Sequence, residues 1–194
     1  MSNQEKDNFY YDNVYQTNKA YLKKAEEMLY FPIWKRAIQM MDENSIIAEF
    51  GCGPGQFAEL VINHGLKYAF GVDFSQNAIR MVKERTGKDY FYVGNLYNKR
   101  NYTIKEYNTA ILLEVLEHIE EDLKVLSYLP EGVRVIFSVP NFNETSHVRT
   151  YSLESIKERY ENLLDIIEII PFKIKENAVI FLCDATKKEI PMIQ

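Results

Sequence analysis

The sequence predicts a doubly wound α/β fold: one open sheet of seven strands, mostly parallel, with the last strand antiparallel. Two observations carry this. Beyond Glu43, short apolar runs alternate with amphipathic helical patterns, the arrangement of strand–helix–strand units. The last two apolar runs are separated only by Pro171 to Asn177, too short for the crossover that parallel neighbours require, so they pair as an antiparallel hairpin. The chain has 194 residues, which suits one core, since single cores run to about 100–200 residues before splitting.

The start, Met1 to Asn8, is polar, and aromatic residues then crowd into Phe9 to Trp34. A helix is expected over Asn18 to Leu29. Pro32 fixes its φ and has no N–H, so it opens a second helix running to about Met41, with Ile33, Trp34, Ala37, Ile38 and Met41 on one face. Residues 1–42 therefore read as an aromatic helical cap on a main domain of residues 43–194. The strands are expected at Ile46–Phe50, Tyr68–Asp73, Tyr90–Val93, Thr109–Leu113, Val133–Val139, Leu164–Ile170 and Ala178–Cys183. Helices fall at Phe57–Asn63, Ser75–Arg85, Ile119–Leu129 and Leu153–Tyr160. Ligands of such sheets lie outside the carboxyl ends of the strands.

Composition narrows the function. Hydrophobic residues make up 46% and charged residues 26%, a soluble globular balance. The net charge is −5, with 23 basic residues scattered among 28 acidic ones, so no concentrated footprint for a nucleic acid is present. Cys52 and Cys183 lack zinc or redox spacing and read as free thiols. No apolar stretch suits a signal peptide or a membrane span, which makes the cytoplasm the expected compartment. Nothing in the sequence fixes an oligomeric state.

Glu49-Phe50-Gly51-Cys52-Gly53-Pro54-Gly55 follows the first strand and opens a helix. Glycines permit a tight turn and let a ligand approach the backbone. A dinucleotide loop would carry its third glycine where Gln56 stands, and the Glu49 carboxylate would repel a pyrophosphate while attracting a cationic ligand. Asp73 ends the second strand, where an acid can accept hydrogen bonds from both hydroxyls of a ribose, unless Asp73 or Ser75 simply caps the next helix. Asn95 closes the third strand, where its amide could reach an adenine edge or serve a local turn.

These segments, in this order over roughly Ser45 to Asn141, resemble the class I S-adenosylmethionine-dependent methyltransferases of small-molecule type. The resemblance implies a sheet with its final strand inserted antiparallel. It also implies that Glu49, Gly51, Cys52, Gly53, Gly55 and Gln56 surround the methionine part of the cofactor and that Asp73 holds the ribose. Asn95 and Leu96 would meet the adenine edge, Phe74 its face, and Glu114 and Val115 would border the cofactor from the fourth strand. The family more often has Asp at position 95.

Methyl transfer from a sulfonium is an in-line displacement needing alignment and, for a hydroxyl or amine acceptor, a base. His118, in Glu114-Val115-Leu116-Glu117-His118, is the first candidate base, His147 the next, and Glu114 stands beside them. His64 reads as a helix C-terminal residue with no chemistry. Glu114, Glu117, His118 and His147 also resemble the ligands of metal-dependent methyltransferases acting on ubiquinone precursors or RNA 3′ ends. Because the same segment is common in metal-free enzymes, a divalent metal is open but not favoured. Tyr11, Tyr15 and Trp34 are candidates to line the acceptor side, although aromatics at helical spacing are more often core. Ser146 to Tyr151 forms a further wall. The expected activity is methylation of an oxygen or nitrogen of a small metabolite. The alternatives are an RNA methyltransferase, opposed by the acidic charge, and a non-catalytic S-adenosylmethionine-binding module.

Overall fold

A computed structural model describes residues 4–189. Seven strands, β1 (Ile46–Phe50), β2 (Lys67–Asp73), β3 (Phe91–Val93), β4 (Thr109–Leu113), β5 (Arg134–Pro140), β6 (Leu164–Lys175) and β7 (Ala178–Lys187), form one sheet in the order β3-β2-β1-β4-β5-β7-β6. β1 pairs in parallel with both β2 and β4, so the strand order reverses at β1 and opens a crevice there. β7 runs antiparallel between β5 and β6, as expected.

The helices are α1 (Asn8–Thr17), α2 (Phe31–Gln39), α3 (Gln56–Asn63), α4 (Gln76–Thr86), α5 (Asp122–Ser127) and α6 (Leu153–Tyr160). Successive strand residues point to opposite faces, so each strand feeds two cores. Ile47, Ile111 and Ile136 pack against α2, α3 and α4; Ala48, Phe50, Leu112 and Phe137 pack against α5 and α6. Burial on both faces explains why β1 and β4 read as apolar runs interrupted only by Glu49 and Thr109. The apolar face expected of α2 is buried from Ile33 to Met41. No helix among the described residues is long and apolar enough to cross a membrane.

The structure corrects three expectations. The helix expected over Asn18 to Leu29 is absent; α1 lies upstream, followed by 3-10 turns at Lys19–Leu22 and Ala25–Glu27. Asn18 ends α1 because its side chain accepts from Ala20 N, and Lys23 and Lys24 are extended with ψ of 157° and 158°. The helix expected from Ile119 to Leu129 shortens to α5, after a 3-10 turn at Leu116–His118. The Arg149 guanidinium takes the carbonyls of Leu116, Ile119 and Glu120, which a longer helix would need. β6 continues beyond Ile170 through Pro171, which is tolerated because β6 is an edge strand.

Candidate functional site at the carboxyl edge of the sheet

The chain leaves β1 at Phe50 and bends over β2, with the Gly51 and Cys52 N–H groups both donating to Val72 O, at 2.7 and 3.0 Å. Gly53 follows at φ 50°, and its N–H donates to Asp73 Oδ2 at 2.9 Å. A Cβ on Gly53 would come within 3.4 Å of the Tyr15 hydroxyl, so this loop is roofed closely by α1. Gly55 has a different duty. Its φ is 84°, and a Cβ there would lie 2.2 Å from Val82 Cγ2, so Gly55 lets α3 pack on α4.

A cavity of about 350 Å³ opens at this edge. Its floor is Glu49, Gly51, Cys52, Gly53 and Gln56; one side is Asp73, Phe74, Asn95 and Leu96. Glu114, Val115, His118 and His147 form the far wall, and Tyr11, Tyr15 and Trp34 come from the N-terminal segment. Of the residues singled out from the sequence as ligand-facing, Gly55 is the one off these walls.

Both acids at the near end are buried and held. Tyr68 donates its hydroxyl to Glu49 Oε2 at 2.5 Å. Burial pushes the Glu49 carboxyl up to about 8; the Tyr68 bond opposes this and Asp73 adds to it. Asp73 accepts from Gly53 N and Ser75 N, each at 2.9 Å. Burial raises it to about 6 against those two bonds. Ser75 is the N-cap of α4, accepting from Ala78 N at 3.0 Å.

Two of the expected ligand-facing side chains also bond within the chain. The Asn95 Oδ1 accepts from Tyr97 N at 2.8 Å, so it serves a local turn while still bordering the cavity. The Gln56 amide donates to Tyr21 O at 2.9 Å and thereby ties the N-terminal segment to α3. His64 is the C-cap of α3 and sits on Leu60 O at 2.8 Å, away from the cavity.

The N-terminal roof is strapped down by residues the sequence did not single out. Asp12 Oδ1 accepts from Ser75 Oγ at 2.5 Å and from Asn77 N at 3.0 Å. Glu5 Oε2 accepts from the Tyr97 hydroxyl at 2.6 Å and from Glu120 N at 2.7 Å. Tyr11 lies between Phe74 and His118, with ring centroids 5.4 and 5.9 Å away. Tyr15 stands over the glycine loop rather than beside the histidines. These partners lie 63 to 115 residues apart in sequence, beyond the reach of any local pattern.

At the far end Glu114 has φ 56°, the one non-glycine residue with positive φ among the described residues. That conformation costs about 1–2 kcal/mol and calls for an external hold. Ser138 provides it: its Oγ accepts from Glu114 N at 2.9 Å and donates to Glu114 Oε1 at 2.7 Å. His118 Nδ1 lies 3.0 Å from Ser146 O, and His147 Nδ1 lies 3.0 Å from Phe142 O. Carbonyls only accept, so each ring carries a proton on Nδ1. Burial lowers His118 to about 4, which keeps it neutral. Burial also raises the Glu114 and Glu117 carboxyls, Glu117 strongly. Among the described residues, Glu117, His118 and His147 bring donor atoms within 4.8 Å of one another and could hold a metal. Glu114 is not in that group. Its carboxylate is engaged by Ser138.

A family model described as "Methyltransferase domain" matches residues 28–164. A trans-aconitate 2-methyltransferase of Rhodopseudomonas palustris (strain BisB5) is 28% identical over 106 residues, 53% of this chain. The chain spans 41% of that relative's length. Among solved structures, a magnesium protoporphyrin IX methyltransferase from Synechocystis PCC 6803, with bound S-adenosylmethionine, is 16% identical over 95% of this chain and 98% of its own, at a TM-score of 0.69. The N-methyltransferase NodS from Bradyrhizobium japonicum WM9, with bound S-adenosylhomocysteine, is also 16% identical, over 94% of this chain and 100% of its own, at a TM-score of 0.69. These two share the fold. With the family model covering more than half of its length, the chain belongs to the methyltransferase-domain family, built on the class I S-adenosylmethionine-dependent fold.

Proposed function

We propose that the chain transfers a methyl group from S-adenosylmethionine to an oxygen or nitrogen of a small metabolite. One observation carries this reading: a single cavity joins the carboxylate-flanked glycine loop and Asp73 to the cluster of Glu114, His118 and His147. The near end fits the cofactor's charge. Lys6 is the one cationic side chain on the walls, whereas Glu49 and Asp73 face inward, so a pyrophosphate would find repulsion and a sulfonium or ammonium attraction. Glu49 and the loop would hold the methionine part, Asp73 the ribose, and Phe74 with Leu96 the adenine. When bound, the cofactor supplies an electrophilic methyl group.

The chain's own residues would do the rest. The described part of the N-terminal segment, residues 4–42, acts as the cap that shields the cavity from water, through α1 and the aromatic segment after it. Ser138 fixes the Glu114 carboxylate toward the acceptor, and His118 Nε2 offers its lone pair to the acceptor's proton. A neutral or cationic acceptor suits the aromatic walls of Tyr21, Tyr30 and Trp34 beside Glu114 and Glu144. A polycarboxylate such as the acceptor named for the trans-aconitate relative meets like charge instead.

Calorimetry with S-adenosylhomocysteine, followed by an assay of its release from S-adenosylmethionine over neutral hydroxyl, amine and carboxylate acceptors, tests the proposal. The expected result is one-to-one binding and turnover with a neutral or amine acceptor. Failure to bind either cofactor form, or preference for a nicotinamide dinucleotide, refutes it.

A further inference from the structure

We infer that the Tyr11 hydroxyl is a catalytic group, which holds the acceptor atom in line with the methyl of the cofactor. Among the described residues, Tyr11, Tyr107 and Glu117 keep a buried side-chain oxygen with no hydrogen-bond partner, and of the three only Tyr11 lines the cavity. A hydroxyl taken out of water without a partner costs the full desolvation of that group. A fold that keeps one at the wall of a ligand cavity has a ligand group to meet it.

Tyr11 stands where the two ends of the cavity meet. Its ring centroid lies 5.4 Å from that of Phe74, on the cofactor side, and 5.9 Å from that of His118, which it meets edge-on at 81°. Tyr15, one turn further along α1, covers the glycine loop at Gly53 instead. The Tyr11 oxygen is turned to the His118 end: the Ser146 side chain and the Glu117 carboxylate bear on it, though neither closes a bond with it. Ser146 also supplies the carbonyl that holds His118 Nδ1 at 3.0 Å. The next residue fixes the placement. Asp12 accepts from Ser75 Oγ and Asn77 N, and Asn77 Nδ2 donates back to Asp12 O at 3.0 Å, so the docking of α1 on α4 sets the Tyr11 side chain over the site.

Burial above all pushes the phenol well above its ordinary 10; Ser146 offsets part of this and the Glu117 charge adds to it. Tyr11 therefore stays a neutral O–H, unable to act as the base but able to accept a hydrogen bond on its oxygen. In the transfer the acceptor's lone pair forms the new bond to the methyl carbon, the carbon–sulfur bond breaks with its electron pair passing to sulfur, and the proton that the acceptor sheds goes to His118. An amine keeps a further N–H for the Tyr11 oxygen and a hydroxyl keeps none, so the pairing favours nitrogen over oxygen. A fixed hydrogen bond at the acceptor atom supplies the alignment that an in-line displacement needs. The inference rests on the methyl-transfer reading of this cavity.

The probes are S-adenosylhomocysteine and sinefungin, the analogue with an amine in place of the methyl-bearing sulfonium, each titrated calorimetrically into the full chain. Tyr11→Phe keeps the ring and removes only the oxygen. It should weaken sinefungin about tenfold and leave S-adenosylhomocysteine within about twofold of wild type, the loss of one hydrogen bond to a charged group. Tyr15→Phe should leave the ratio of the two affinities as in wild type. Without ligand, Tyr11→Phe should melt at or above the wild-type temperature, because the hydroxyl it removes has no partner in the fold. An unchanged ratio in Tyr11→Phe, the same shift in Tyr15→Phe, or a lowered melting temperature of Tyr11→Phe overturns the inference while the methyl-transfer reading stands. If neither probe binds the wild type, that reading fails and the inference falls with it.

Discussion

Cofactor affinity should depend on pH through Glu49. Its carboxyl, ordinarily near 4.5, is pushed up to about 8 by burial, the Tyr68 hydrogen bond offsetting part of the effect. About one empty molecule in a hundred therefore carries the Glu49 anion at pH 6 and about one in ten at pH 7. A cationic ligand beside it favours the anion. Binding at pH 7 should then release close to one proton from this residue, and affinity should rise about tenfold from pH 6 to pH 7. Asp73, raised to about 6, and Glu114, also raised, titrate in the same window, so the measurement is a difference between wild type and Glu49→Gln.

Calorimetry in two buffers of unlike ionisation enthalpy counts the protons, and Glu49→Gln should lose one proton and one decade of slope. Stability without ligand follows the opposite sign. The unfolded chain releases the Glu49 proton near 4.5 and the folded chain near 8, so Glu49 contributes stability below 4.5 that is lost as pH rises through 8, at most about 4–5 kcal/mol. Equal proton counts and equal slopes in the two proteins would refute the pairing of Glu49 with a cation.

Three further outcomes follow from the packing. Gly55→Ala should cost about 3 kcal/mol in urea unfolding, from positive φ and the clash with Val82, and Val82→Ala should return part of it; an unchanged midpoint would contradict the packing role. Asp12→Ala should lower stability by about 1 kcal/mol and speed S-adenosylhomocysteine release several-fold in stopped flow, because α1 loses its hold on Ser75 and Asn77; an unchanged off-rate would mean that α1 does not retain the ligand. Asp122→Ala should cost about 3 kcal/mol, since Arg159 and Tyr160 both bond to this fully buried carboxylate, and a loss under 0.5 kcal/mol by denaturant titration would contradict that.

The sheet was legible because its strands are buried on both faces. Ile46–Phe50 and Thr109–Leu113 stand as read, each apolar except for one residue, Glu49 and Thr109. Helix ends governed by distant partners were not legible: nothing near Ile119 announces that Arg149 will take its carbonyl. The site divides in the same way. A glycine that borders the cavity and one that admits a neighbouring helix look alike in sequence, and so Gly53 and Gly55 read the same there. Asn95 carried both its meanings in one residue type, and the turn holds its oxygen. Glu117 looks like a companion of Glu114 in sequence, yet only coordinates reveal that one carboxylate is engaged by Ser138 and the other has no hydrogen-bond partner.

The strained backbone at Glu114 offers a separate measurement, since strain and side-chain chemistry can be removed independently. At φ 56° an alanine keeps the penalty and a glycine does not. Both Glu114→Ala and Glu114→Gly lose the carboxylate bond to Ser138 and keep the backbone one, so their side-chain loss cancels in comparison. Gly also gains freedom when unfolded, which works against it by about 0.5–1 kcal/mol. The left-handed penalty of about 1–2 kcal/mol should still leave Glu114→Gly more stable than Glu114→Ala by up to about 1 kcal/mol in urea titration. Turnover should fall in both, because neither restores the carboxylate beside His118. If alanine proves the more stable, the turn after β4 relaxes freely, and Ser138 is not what holds Glu114 toward the cavity.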